Sequence, residues 1–435
     1  MAGRPKTRIP LDVYLNGRRV GQLRREASGA IDFQYAAAWL AWESTFPISL
    51  SLPLREDRYI GAAVVAVFDN LLPDNNEIRK RLAARTRAEG MDAFSLLSAV
   101  GRDCVGALQF LPEGEVPTST DTVRGRALTE AEVASILGDL GQAPLGVTTE
   151  PEFRISLAGA QEKTALLWWH DRWHIPHGST PTTHILKPEI GRLPNGIDLS
   201  ESVENEYLCL KLGAAVGLPT PMVSMATFGE RRALVVERFD RLWTRDGRLL
   251  RLPQEDACQA LSVPPALKYE SEGGPGIVRV LELFKGSDEP AHDQRVFLKA
   301  QIFYWLLGAT DGHAKNFSMH LLPGGRFRLA PLYDVMSTQP NVDAGQIRRN
   351  QFKLAMAVGK NRHYVVDEIL PRHFMQTASA ARVGNAVVDV ILAELAELTP
   401  RAVDEVAEAL PAGFPSKLFE QIVHGILRRL RTITA

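Results

Sequence analysis

The sequence predicts an α+β fold, and three observations predict it. Near the start, short alternating runs flank Asn16-Gly17, a two-residue turn signal because both positions tolerate positive φ. From about Phe153, strand-like and helix-like segments alternate. Beyond about residue 255, helical patterning dominates.

At 435 residues the chain is long enough for two or three packed units. Hydrophobic residues make up 45% and charged residues 23%, the balance of a globular protein in water. The formal net charge of −1 argues against a large nonspecific nucleic-acid footprint, although DNA contact as part of a complex stays open. Cys104, Cys209 and Cys258 lie far apart with no Cys-x-x-Cys pair. A disulfide framework or zinc site is therefore not expected, and a reducing cytoplasm fits. The segment Met1-Ala2-Gly3-Arg4-Pro5-Lys6 leads into no apolar signal core, and no uninterrupted apolar run approaches membrane-spanning length. The expected location is the cytoplasm, with no membrane.

Taken in order, Val13-Tyr14-Leu15 and Val20-Gly21-Gln22-Leu23 form the arms of the hairpin, and Ile31-Asp32-Phe33-Gln34-Tyr35 alternates as a third strand would. Residues 62–100 are helical in pattern, interrupted by Asp69-Asn70-Leu71-Leu72-Pro73-Asp74. That apolar patch between acids is read as a helix end folded on the core, with a docking surface as the alternative. Residues 112–122 are polar and rich in breakers, a linker signal. Thr129 and Glu132 then make a capping box ahead of Val133, Ile136 and Leu137. The expected units are 1–112, a linker over 113–128, an α+β core over 129–252 and a helical segment over 253–435. The cluster Arg428, Arg429 and Arg431 in the amphipathic stretch 418–432 reads as a solvated helix end rather than a phosphate patch.

The chemistry is carried by Gly308-Ala309-Thr310-Asp311-Gly312-His313-Ala314-Lys315-Asn316, which follows an apolar run. Its Asp-x-x-x-x-Asn spacing is that of a kinase catalytic loop, where the Asp takes or orients the proton of the attacking hydroxyl and the Asn reaches Mg²⁺. Leu329-Ala330-Pro331-Leu332-Tyr333-Asp334 then ends a strand-like run on a second carboxylate, where a kinase keeps its other metal contact. Upstream, Ser156-Leu157-Ala158-Gly159-Ala160-Gln161-Glu162-Lys163-Thr164 offers small residues that let backbone N–H groups approach phosphates. It is neither a Walker A loop nor a three-glycine loop, and alone it reads equally as a small-residue turn. Thr182-Thr183-His184-Ile185-Leu186-Lys187-Pro188 places a Lys on a strand 24 residues after Lys163. A buried Lys is costly unless it meets phosphates or a carboxylate. The helical stretch 201–212 offers Glu204 or Glu206 as that partner, or either as a first-turn acid favoured by the helix dipole. Leu234-Val235-Val236-Glu237-Arg238-Phe239-Asp240 runs from a buried strand into charges, and by order Glu237 to Phe239 take the place of the hinge beside adenine. A strand end with a salt bridge is an equal reading there.

These stretches, with Arg-Leu-Pro-Gln-Glu-Asp and Lys-Tyr-Glu-Ser-Glu-Gly-Gly-Pro-Gly, resemble the HipA family of serine/threonine-protein kinases, the toxins of type II toxin–antitoxin systems. The likeness runs from Asn16-Gly17 to Pro371-Arg372-His373-Phe374. The resemblance implies a two-lobed protein-kinase-like fold with a β-rich N-terminal subdomain and an all-helical C-terminal lobe. It implies ATP, Mg²⁺ and a protein hydroxyl as acceptor. In the best-known branch the target is an aminoacyl-tRNA synthetase, glutamyl-tRNA synthetase, whose phosphorylation stops aminoacylation and brings growth arrest and multidrug tolerance. The implied partner is a HipB-like helix-turn-helix antitoxin dimer that holds the kinase on operator DNA.

Carried over by position, Asp311 is the catalytic base, Asn316 and Asp334 hold Mg²⁺, and Lys187 binds phosphates. Ala158, Gly159, Ala160, Gln161, Glu162 and Lys163 wrap the nucleotide. Glu237 and Phe239, with Arg238 between them, face adenine. His313, Ala314, Lys315 and Tyr333 complete the nucleotide site. Ser156 matches the autophosphorylated serine, where about −2 of charge would eject the loop. From the residues alone, Ser156 merely starts the loop turn. Of the family's DNA-touching basic pair only Arg382 has a counterpart, the other position being Ser379. Two other readings compete: a small-molecule kinase of the aminoglycoside or choline type, and a co-repressor that stiffens an antitoxin–operator complex with residual or no catalysis.

Overall fold

The computed structural model describes residues 9–118, 122–146 and 154–434. Residues 1–6, linker residues 119–121 and Phe153, the expected start of the alternating region, lie outside the described residues.

The first unit is built on a five-stranded antiparallel sheet in the order Tyr59–Ile60, Ile31–Tyr35, Arg18–Arg25, Leu11–Leu15, Leu108–Pro112. Asn16 and Gly17 make the first turn at φ 45° and 82°, with Leu15 paired to Arg18 across it. Helices Ala62–Asp69 and Ala93–Val100 pack on the sheet and on each other, and Asn76–Thr86 packs on Ala93–Val100. Phe68 sits between Phe33 and Phe110, its ring centroid 5.6 and 5.7 Å from theirs. After Asp69 the chain turns inward, burying Asn70, Leu71 and Leu72. The patch is thus a helix end folded on the core and not an exposed docking surface.

The second unit is a six-stranded antiparallel sheet in the order Val223–Phe228, Arg231–Glu237, His184–Pro188, Thr164–Trp169, Arg172–Pro176, Gly125–Ala127. Its outermost strand, Gly125–Ala127, falls inside the segment read as a linker. Helix Glu130–Gly138 follows, started by the Thr129–Glu132 capping box. Helix Ser202–Ala215 packs against strands Val223–Phe228 and Arg231–Glu237. A buried charge cluster ties the first unit to the second. Asp103 accepts from Arg241 and Arg251, each at 2.9 Å, and Arg238 closes the group against Asp240 at 2.8 Å.

In the C-terminal half, helix Pro290–Leu307 is the spine. Phe297, Leu298, Ile302, Trp305, Leu306 and Leu307 on it are all fully buried. Helices Ile277–Phe284, Asn385–Glu408 and Ser416–Thr434 pack around it. This lobe is mainly helical, but it is not all-helical. Strands Gln254–Asp256, Ser318–Leu322 and Arg326–Leu329 form one antiparallel sheet, and Lys353–Val358 pairs with His363–Val365. The reason is geometric. The chain must reverse at once after Asn316 to bring Asp334 back to the same place, and a hairpin turning at Pro323-Gly324-Gly325 does so where a helix would carry it away.

The arginine cluster also differs from its reading as a solvated end. Arg429 is buried, donating to Leu306 O at 2.9 and 2.8 Å and to Gln339 Oε1 at 2.8 Å. Arg428 pairs with Asp367 at 2.8 Å. The last carbonyls of the spine helix need donors, and Arg429 supplies one. The three cysteines are buried and free. No helix among the described residues is long and apolar enough to cross a membrane.

Candidate active site

The spine helix stops at Gly308, whose φ of 65° is a left-handed cap, with Ala309 N–H bonded back to Tyr304 O at 2.8 Å. A Cβ at Gly308 would lie 2.5 Å from the Phe352 ring, and one at Gly312 would lie 2.5 Å from Tyr304. Both glycines let the loop lie flat on the helix end. Asn316, in the turn Ala314–Asn316, donates through Nδ2 to Asp311 O at 2.7 Å and so closes the loop on itself. The five-residue spacing is what lets that amide reach back.

Asp311 presents its carboxylate outward, its side chain 58% exposed. Tyr269 OH donates to Asp311 Oδ1 at 2.5 Å, and His313 Nε2 lies 3.9 Å from the same oxygen. Burial, with the charge of Lys268 next, pushes His313 down to about 3, so the ring is neutral.

Asp334 lies five residues beyond strand Arg326–Leu329, not at a strand end as the apolar run suggested, and in left-handed backbone at φ 61°, a conformation a non-glycine residue keeps only where its surroundings demand it. The demand comes from Lys187, whose Nζ lies 2.8 Å from Asp334 Oδ1 and 2.7 Å from Glu206 Oε1. Glu206 is therefore the partner of Lys187. Glu204 pairs instead with Arg232. Burial opposes ionisation of Asp334, but Lys187 and Lys163 outweigh it and hold the carboxyl well below the usual carboxylate range. Asp311 shifts the other way: the crowding of protein around it and then the charge of Asp334 raise it, against the Tyr269 hydrogen bond. Two carboxylates close enough to feel each other are thus pushed apart, one kept ionised as a metal ligand must be and one made more basic as a proton acceptor must be.

The small-residue loop is folded down onto this pair. Lys163 is buried, donates to Ala158 O at 2.8 Å, and lies near enough to Asp334 to lower its pKa. Gly159 has φ +103°, and a Cβ there would be 2.7 Å from Lys163 Nζ, a cradle that glycine alone permits. Gln161 donates to Pro188 O at 3.2 Å, Glu162 pairs with Arg81, and Ala160 is exposed. Ser156 is fully buried and donates to Leu71 O at 2.8 Å.

On the hinge side, Glu237 is exposed and Phe239 half-buried, the Phe239 ring 5.6 Å from His320 and 5.8 Å from Tyr333. Arg238 points away from the nucleotide side, its guanidinium spent on Asp240, Thr182 and Cys104 O. Lys315 also turns away. It donates to Asn70 O at 2.7 Å and to Asp256 at 3.0 Å, binding the catalytic loop to the first unit. Tyr333 supports the same loop through Lys315 O at 2.7 Å. Arg382 is exposed beyond the end of helix Pro371–Ala380, remote in sequence from these elements.

Asp311, Asn316, Asp334, Lys187 and Lys163 are brought together. The donor set fits Mg-ATP: an ionised Asp334, an Asn316 amide oxygen with no protein donor among the described residues, two lysines and a glycine cradle. No group of three or more His, Cys, Asp and Glu able to hold a metal occurs among the described residues. A Mg²⁺ here would complete its shell with phosphate oxygens and water, as that ion commonly does. Sequence reasoning missed Tyr269, Lys268 and Asp74. Lys268 pairs with Asp74 at 2.9 Å beside the loop. The only available signal was the pair Lys268-Tyr269 ahead of a glycine-rich stretch.

Fold and site together define a protein-kinase-like phosphotransferase. The HipA N-terminal domain model matches residues 11–144 and the HipA-like C-terminal domain model residues 155–411. The chain is 37% identical over 402 residues to the Sinorhizobium fredii protein named "Putative kinase Y4mE", covering 92% of each. It is 28% identical over 411 residues to the Shewanella oneidensis serine/threonine-protein kinase toxin HipA, covering 88% of this chain and 90% of that one. The solved complex of Shewanella oneidensis HipA, HipB and operator DNA superposes with a TM-score of 0.81 at 25% identity over 98% of both chains. The chain belongs to the HipA family, and its enzyme class is that of the serine/threonine-protein kinases.

Proposed function

We propose that the chain is a toxin kinase that moves the γ-phosphate of ATP to a serine or threonine hydroxyl of another protein. The observation that carries this reading is Lys187 held between Glu206 and Asp334, beside the loop of Asp311 and Asn316. Phosphoryl transfer asks a protein for positioning and charge neutralisation more than for covalent chemistry. Lys187 and Lys163 meet phosphate oxygens. Asp334 and the Asn316 amide oxygen hold Mg²⁺, which when bound screens the negative charge of the phosphates. Asp311 takes the hydroxyl proton on the oxygen that Tyr269 leaves open. The loop 158–163 wraps the nucleotide, and Glu237 and Phe239 border adenine.

Ser156 is proposed as the site of autophosphorylation. Its hydroxyl is buried against Leu71 O, so a phosphate of about −2 charge cannot be housed there and the loop must leave. The protein target is proposed to be an aminoacyl-tRNA synthetase such as glutamyl-tRNA synthetase, with translation and growth stopped as a result. A HipB-like helix-turn-helix dimer is proposed to neutralise the kinase and to hold it on operator DNA in the cytoplasm. The similar Shewanella oneidensis HipA has been solved with HipB and its operator.

The test is Asp311→Gln. With purified protein, labelled ATP and glutamyl-tRNA synthetase, the variant is expected to lose about 10²–10⁴-fold in transfer and, expressed in cells, to permit growth. Continued growth arrest would refute kinase-dependent toxicity. In cell lysate with labelled ATP, label appearing only in a small metabolite would favour the small-molecule kinase.

A further inference from the structure

The segment Lys268-Tyr269-Glu270-Ser271-Glu272-Gly273-Gly274-Pro275-Gly276 holds chemistry that phosphate and metal binding leave unused. Lys268 and Tyr269 face the catalytic loop. Lys268 O receives Ala314 N–H at 3.3 Å, and Tyr269 OH meets Asp311. Glu270 faces the other way. Its carboxylate accepts Ala357 N–H at 2.6 Å and lies 3.3 Å from Arg362. Beyond Glu270 opens a cavity of about 420 Å³, walled by helices Ile277–Phe284 and Pro371–Ala380 and by the 353–365 hairpin. That is within the size range of ligand sites. The cavity is kept open by small residues. A Cβ at Gly276 would sit 2.4 Å from the Glu270 carboxyl carbon, and Gly359 lies at φ +80° against His373 and Gln376.

Its charges are unevenly spent. Arg362 answers Glu270. Arg279 and Lys360 line the cavity, are exposed, and have no carboxylate partner among the described residues. Glu282 is the one opposing acid left open on the lining, so the balance of unpaired groups is positive.

We infer that this cavity is the acceptor-binding site: it seats the polypeptide flanking the hydroxyl to be phosphorylated and favours acidic residues there. The inference rests on the protein-kinase reading above. Tyr269 and Glu270 are consecutive, so the cavity wall begins one residue from the group that touches the catalytic carboxylate. An extended polypeptide advances about 3.3–3.6 Å per residue. A peptide whose hydroxyl sits at Asp311 has to pass the edge of the 268–276 segment, a few residues of extended chain, to lay its neighbours in the cavity on that segment's other face. The phosphate side is already taken by Lys163, Lys187 and Asp334, and in-line transfer brings the acceptor from the side opposite the leaving group.

The probes are two fluorescent serine peptides, one flanked by Asp and Glu and one by Lys, titrated against the full chain by anisotropy. The wild type is expected to bind the acidic peptide at least tenfold tighter. Arg279→Glu with Lys360→Glu, both at exposed positions, should abolish or reverse the preference. Lys353→Glu, on the same hairpin but outside the cavity lining, should leave it intact. The same preference in the double variant as in the wild type, or no peptide binding by the wild type, overturns the proposal. So does full competition by inorganic phosphate alone, which would make the cavity a simple anion site. Transfer of label from ATP is read in parallel. Binding that depends on the two cations without any transfer would refute the kinase reading, whereas transfer with an unaltered preference in the double variant would refute the role of the cavity alone.

Discussion

Lys187 is the residue on which the site's electrostatics turn. It sits in the middle of the six-stranded sheet, paired with Leu234 across the ladder, and is 5% exposed. Burial alone would drive its charge off. Asp334 and Glu206 outweigh that and hold its ammonium charged. Removing one member of such a group leaves buried charge without an answer, at a cost of about 3–5 kcal/mol. Lys187→Met is expected to lose that much stability in denaturant unfolding, because Glu206 and Asp334 would then face each other. Adding Glu206→Gln should restore part of it. A single variant as stable as the wild type would mean that the triad is not coupled. The sequence made the cation legible, since a Lys in a β-branched run calls for an anion. It left the partner open, because Glu204 and Glu206 differ only in which side of one helix they occupy. The sheet decides, giving Glu204 to Arg232.

Among the elements, the spine helix and its stop at Gly308 set the catalytic loop. A side chain at Gly308 would need left-handed backbone and would strike Phe352. Gly308→Ala is expected to cost about 1–3 kcal/mol, and to lower kcat more than it raises KM for ATP, because the loop carrying Asp311 shifts while Lys187 stays on its strand. Loss of ATP affinity with kcat intact would contradict this. The Asp311–Asn316 pairing was legible because it is local: a spacing of five closes through one hydrogen bond. The Asn16-Gly17 turn and the Thr129–Glu132 cap were legible for the same reason. Of the hairpin between Asn316 and Asp334 a strand-like run was read over 329–334, whereas the strand itself is Arg326–Leu329, because strands this short carry too few residues to show a period. Arg429 looked solvated because its neighbours Arg428 and Arg431 are charged, while its own face meets the end of another helix.

For the whole molecule, the first unit acts as a clamp on the kinase core. Asp103 gathers Arg241 and Arg251, Leu71 receives Ser156, and Asn70 and Asp74 reach Lys315 and Lys268. None of these contacts could be read from spacing. Each joins residues 85 or more apart, and groups that distant announce themselves only once the chain has folded. The order of small-residue loop, strand lysine, acidic helix, Asp-x-x-x-x-Asn loop and second carboxylate did predict which residues would meet, although that carboxylate lies past the end of its strand. Those residues must serve one nucleotide. Calorimetric titration of ATP, with and without Mg²⁺, into the wild type and Asp334→Asn tests this most directly. The wild type should bind Mg-ATP well and lose affinity when the metal is removed, while the variant should bind about tenfold or more weakly and respond little to metal. Equal, metal-dependent binding by both proteins would contradict the account.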